Sequence, residues 1–210
     1  MSPDNFYFYA LVVPFLFLGL TVHEFAHAWM ANQLGDDTAA RAGRLSLNPF
    51  RHLDLLGTLV LFITQFIGWA KPVPVDPANF RHPLRGLSLV AAAGPIANIT
   101  LAIILAFAFH FGLDATLIKL FPNNIAFPLI QMCLIGFKLN LFLGIFNLIP
   151  LPPLDGFNIL MYFLPTNVAK AIQKRRIIAF IILMAILISG TFAKIVEPIF
   201  DLFKDFIGLE

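Results

Sequence analysis

Charge is scarce in this sequence. Only 12% of its 210 residues are charged while 59% are hydrophobic, and the mean hydropathy is +0.85. A water-soluble domain of this length carries about twice that share of charged residues, so the composition excludes one and predicts an integral membrane protein. Cysteine is nearly absent: Cys133 stands alone, which excludes an intrachain disulfide, and in its apolar run it reads as a small buried hydrophobe. The net charge is only +2, and no basic stretch is interleaved with aromatics, so no nucleic-acid partner is expected. There is no repeat, low-complexity tract or appended soluble domain. The opening Met1-Ser2-Pro3-Asp4-Asn5 lacks the basic region of a signal peptide, and the apolar run behind it is expected to stay in the mature protein.

What is present is a set of apolar runs separated by short polar stretches. Residues 6–30 are long enough to span a hydrocarbon core of about 30 Å at 1.5 Å per residue, with Pro14 as a possible kink. Residues 32–54 are polar, and the uncharged run 55–70 is short for a crossing and contains Gly57 and Gly68. A re-entrant or hairpin region over 55–85 is therefore expected, beginning and ending on one side of the bilayer. Within it, Lys71-Pro72-Val73-Pro74-Val75 disfavours helix and allows an extended edge strand. A second span is expected over 87–112, a third over 128–164 and a C-terminal span over 177–199. The fold class is thus an all-α multi-pass membrane protein, a single domain over 1–210 with a three-helix core plus a C-terminal helix. By this topology ten of the 14 Lys and Arg (41, 44, 51, 71, 81, 85, 170, 174, 175 and 176) lie on one side. The positive-inside rule makes that side the cytosol of a cell membrane.

Chemistry concentrates at the end of the first run, in His23-Glu24-Phe25-Ala26-His27. Two His four residues apart share a helix face and can reach one tetrahedral metal ion, with Glu24 beside them. This is the H-E-x-x-H zinc-protease signature. Two imidazoles and a carboxylate in an apolar helix are costly unless something binds them, which weighs against their being mere packing residues. A third protein ligand is needed, and Asp155 is the best candidate. Carboxylates are scarce in the apolar runs, its estimated depth matches that of His23, and Pro150, Pro152 and Pro153 can present it from an irregular turn. The plainer role for Asp155 is to cap a helix starting near Phe157. One Zn2+ held by His23, His27 and Asp155 would activate a water, with Glu24 as the catalytic base. Asn98 and Asn147 carry amides that could serve an oxyanion or the substrate backbone, or could instead join helices. A transmembrane substrate has to unwind before cleavage, and the strand at Val73 and Val75 could dock it by β-addition.

Taken together, these motifs resemble the site-2 protease family of intramembrane zinc metalloproteases, peptidase family M50. The resemblance covers most of the chain in order: the His23 to His27 motif, Asn48-Pro49-Phe50-Arg51-His52-Leu53-Asp54, Ala70-Lys71-Pro72-Val73-Pro74-Val75, Ala93-Gly94-Pro95-Ile96-Ala97-Asn98, and 147–156. It looks like the compact bacterial or archaeal type. The resemblance implies zinc on His23, His27 and Asp155, Glu24 as base, Asn98 and Asn147 as active-site polar residues, and three core helices with a membrane-associated hairpin. It differs from larger relatives in having no PDZ or CBS domain and no extra N-terminal helix. The expected activity is that of a zinc metalloendopeptidase in regulated intramembrane proteolysis. Its partners would be single-span membrane protein substrates and the lipid bilayer, with the oligomeric state open. Two other readings are a non-catalytic adaptor that binds membrane helices, which nothing in the sequence supports, and a metal transporter. A transporter distributes polar residues along a path, whereas here they gather at one depth, with His110 outlying.

Overall fold

The computed structural model describes residues 3–64 and 70–207. Among them the secondary structure is helical: α1 (Pro3–Gln33), α2 (Thr38–Arg41), α3 (Leu55–Thr64), α4 (Pro83–His110), α5 (Leu113–Leu120), α6 (Asn123–Asn147), α7 (Asp155–Met161), α8 (Thr166–Lys174), α9 (Arg176–Ile188) and α10 (Thr191–Ile207). Helices α1, α4 and α6 are each long and apolar enough to cross a bilayer. They pack against one another in pairs. Their contacts use small residues, as membrane helices do where no water drives association: Ala102 and Ala106 of α4 are fully buried against Phe137 and Leu141 of α6. This is an all-α multi-pass membrane protein.

Between α1 and α4 the chain leaves the core and comes back to the same place. Leu53 pairs with Ala70 in an isolated antiparallel bridge, so residues 53 and 70 lie side by side. Helix α3 between them has ten residues, a rise of about 15 Å, half a hydrocarbon core. It exposes Leu55, Leu56 and Ile63. The re-entrant or hairpin region expected over 55–85 includes residues 65–69, which lie outside the described part. The loop before α3 is a local scaffold: Asn48 accepts from Phe50 N–H at 3.1 Å, Asp54 accepts from Gly57 N–H at 2.8 Å, and the buried His52 ring meets the Ser46 carbonyl at 2.7 Å.

Three details differ from or refine the expectations. The third run starts earlier than residue 128: α6 begins at Asn123, passes through Pro128 and stops at Asn147, and Asp155 opens a separate helix after the irregular proline-rich turn. Four prolines in 150–165 remove the backbone donors a continuous helix needs. The C-terminal run over 177–199 is broken after Ile188, where α9 and α10 meet at 57° around Gly190, whose φ of 70° is left-handed. Finally, the 71–76 segment, expected as an edge strand, carries no assigned strand.

Candidate active site

Helix periodicity brings His23 and His27 together on the inner face of α1, where both are buried and their rings meet edge to face at 4.6 Å. Asp155 reaches them from the first turn of α7. Its Oδ2 lies 3.1 Å from His23 Nε2 and 3.3 Å from His27 Nε2. Leu154, not Asp155, occupies the cap position of α7, so the capping role weighed for Asp155 is not the one its side chain plays.

The neighbours decide which ring nitrogens carry protons. His27 Nδ1 faces the Val90 carbonyl of α4 at 2.7 Å. A carbonyl only accepts, so that nitrogen donates. Asn98 Nδ2 donates to the Gly19 carbonyl at 3.0 Å and to Asn140 Oδ1 at 2.8 Å, which leaves Asn98 Oδ1 facing His23 Nδ1 at 2.6 Å. His23 Nδ1 therefore donates as well. Both Nε2 atoms are left as acceptors, aimed at a carboxylate oxygen that is buried and has no hydrogen-bond partner. With both rings neutral, three acceptor atoms converge with no donor between them, an arrangement that a bound cation, or a proton on one imidazole, satisfies.

A divalent metal ion fits that need. Ligand atoms about 2.0–2.1 Å from a tetrahedral zinc lie about 3.3 Å from one another, close to the separations of Asp155 Oδ2 from the two imidazoles. Nδ1 hydrogen bonds that orient the ring are the usual support of a metal-binding His. Gly94 makes room for the pair: a Cβ there would lie 2.5 Å from His27 Nε2 and 2.7 Å from His23 Cε1, closer than any side chain can stand.

A cavity of about 580 Å³ opens beside the triad, lined by Glu24, Ala70, Pro72, Val73, Val75, Asn147 and Asn158 among others. Glu24 Oε2 accepts from the Val73 N–H at 3.0 Å, so the carboxylate and the 71–76 segment are in contact. Asn98 needs a correction. It is fully buried with its oxygen and both N–H bonds engaged, so it cannot donate to an oxyanion; it holds His23 in place. Asn147 lines the cavity but donates to its own helix at Leu143 O, 2.9 Å away, so one of its amide hydrogens remains. Sequence reasoning left Asn140 without a role, though a polar side chain amid 25 mostly apolar helix residues was a signal that it has one. It left Gly94 without one too, and the Val90 carbonyl has no side-chain signal.

The family model described as "Peptidase family M50" matches residues 10–190. The chain belongs to peptidase family M50. This M50 chain is 36% identical to "Putative zinc metalloprotease YwhC" of Bacillus subtilis over 97% of its own length and 94% of the relative's. It is 29% identical to "Putative zinc metalloprotease Rip2" of Mycolicibacterium smegmatis over 96% of its own length and 75% of the relative's, and 28% identical to the protein of the same name in Mycobacterium tuberculosis over 92% and 74%. No solved structure matches the M50 chain.

Proposed function

We propose that this M50 protein is a zinc metalloendopeptidase that hydrolyses peptide bonds in or near the transmembrane segments of single-span membrane proteins, as in regulated intramembrane proteolysis. The observation that carries the reading is the meeting of His23 Nε2, His27 Nε2 and Asp155 Oδ2, an i, i+4 pair from α1 and a carboxylate from a distant helix, within 4.8 Å of one another. Zinc bound there supplies the Lewis acidity that brings a water's pKa toward about 7 and polarises a carbonyl. The chain's own groups do the rest. Glu24, beside the ligands and on the cavity wall, takes the attacking water's proton and passes it to the leaving amine. Asn98 and Val90 hold the imidazoles so that their Nε2 lone pairs face inward. Asn147 has a spare amide hydrogen on the same wall for the substrate backbone or the developing oxyanion.

Substrate enters as an unwound segment, since a helix keeps its carbonyls paired. Val73 and Val75 border the cavity and offer it a backbone edge. The ten Lys and Arg counted to one side support a site in the cytosolic half of a cell membrane.

The test is incubation of the purified protein in lipid with a panel of single-span substrates, with and without chelator, read by product mass. Chelator should abolish cleavage and zinc should restore it. Glu24→Gln should keep its zinc and lose about 10²–10⁴-fold in rate. A zinc-loaded wild type that binds single-span substrates and cleaves none of them would instead favour a helix-binding adaptor, and a Glu24→Gln protein that cleaves as fast as wild type would remove Glu24 as the base.

A further inference from the structure

The 71–76 segment is fastened at both ends by buried charged side chains. At its start, the Lys71 N–H donates to the His52 carbonyl at 2.8 Å, and Arg44 Nη2 donates to the Lys71 carbonyl. At its end, the Asp76 N–H donates to Asp36 Oδ2 at 2.8 Å. Arg44 and Asp36 are 5% and 0% exposed, so neither anchor is easily displaced by water. Pro72 and Pro74 have no N–H. Between the anchors only Val73 and Val75 can donate.

The Val73 N–H already has a partner, the Glu24 carboxylate at 3.0 Å. Among the described residues the Val75 main chain has none. Exposure alternates from 72 to 77, with Val73, Val75 and Pro77 the more covered, as in an extended chain. In such a chain the N–H and C=O of residues i and i+2 point to one side. The Val75 groups therefore face the same way as the Val73 N–H, toward Glu24 and the cavity, and the prolines fall where their missing donors would face away.

We propose that the Val73 N–H is a latch on Glu24, opened by the substrate itself. An extended substrate strand pairs with Val73 and Val75, its carbonyl takes the N–H that Glu24 holds, and the carboxylate is released in the same exchange. The inference rests on the reading of Glu24 as base. A hydrogen bond to a carboxylate is stronger than one to a neutral carbonyl, so one substrate carbonyl does not displace Glu24. The added bonds at Val75 make the exchange favourable. A segment that remains helical has no free carbonyls to offer and leaves the latch closed. The device thus selects unwound chain twice, once for access and once for release of the base.

Binding tests this without turnover. The probe is a fluorescein-labelled Ala/Val octapeptide with a ketomethylene group in place of its central peptide bond. Its affinity for the zinc-loaded full chain is measured by anisotropy for wild type, Glu24→Ala, Val73→Pro and the double variant. Removing the competing carboxylate should tighten binding about three- to tenfold, the worth of one hydrogen bond, and the gain should vanish in the Val73→Pro background. No tightening, a gain that persists with Val73→Pro, or a peptide that binds none of the four overturns the latch. Should Val73→Pro not fold, amide exchange in valine-labelled protein replaces it: Val73 should exchange several-fold faster in Glu24→Ala than in wild type, and equal rates overturn the proposal. Zinc-loaded wild type that cleaves nothing would instead remove the functional reading, whatever the binding cycle gives.

Discussion

Asn98 Oδ1 lies 2.6 Å from His23 Nδ1 while both hydrogens of the same amide are held by Gly19 and Asn140. An intramembrane amide beside a proposed hydrolytic site invites the role of oxyanion donor. Its hydrogen bonds leave it nothing to donate, and make it the group that sets the proton and orientation of a metal-binding ring. Asn98→Ala should therefore weaken zinc binding about 10–100-fold, the usual cost of losing such a support. Competition with a chelating dye measures it. Unchanged zinc affinity with slower cleavage would restore the oxyanion role.

Asp155→Ala removes the one carboxylate that meets both imidazoles. Zinc content, measured by atomic emission after dialysis, should fall from one ion per chain to a small fraction. The fold should survive, because the substitution also removes a buried, unpaired oxygen. Retention of a full equivalent of zinc would mean that another residue completes the set.

Gly94→Ala adds a single methyl group, and it lands on both imidazoles. The conformation is ordinary helix, so the effect is one of space alone. Zinc content and cleavage should drop together by at least tenfold, while helix content by circular dichroism stays the same. Equal activity would show that α1 and α4 can separate at this level.

Asp36 gives a pH-dependent test outside the spanning segments. Burial alone would raise its pKa. The hydrogen bonds from Thr38 (side chain 2.5 Å, N–H 3.1 Å), Asn79 (2.7 Å) and the Asp76 N–H (2.8 Å) outweigh burial and hold it below the ordinary carboxylate value. A depressed folded pKa contributes stability above the unfolded value of about 3.9 and loses it as pH falls through the folded pKa. Asp36→Asn should lower the melting temperature in detergent by several degrees at pH 7. The gap from wild type should narrow as pH drops below about 4. A gap independent of pH would assign the loss to packing.

Much of this was readable from residues because it is local. Composition alone places the chain in a membrane, since 12% charge cannot coat a soluble surface. The i, i+4 spacing of His23 and His27 settles their shared face, because a helix repeats every 3.6 residues. The lengths of the apolar runs gave α1 and α4 within a few residues. The run 177–199 gave no sign of its break, because Ser189 and Gly190 are compatible with a helix or a turn and only packing chooses.

The sequence by itself determined the membrane setting, the paired imidazoles and the scarcity of carboxylates that singled out Asp155. Only the tertiary structure decided that Asp155 faces both Nε2 atoms, that Asn98 supports His23 and does not reach a substrate, and that Glu24 is held by the Val73 amide. The reason is that these outcomes depend on backbone groups, the carbonyls of Gly19 and Val90 and the N–H of Val73. Such groups are the same at nearly every residue, so their partners leave no trace in composition or spacing until the helices are packed.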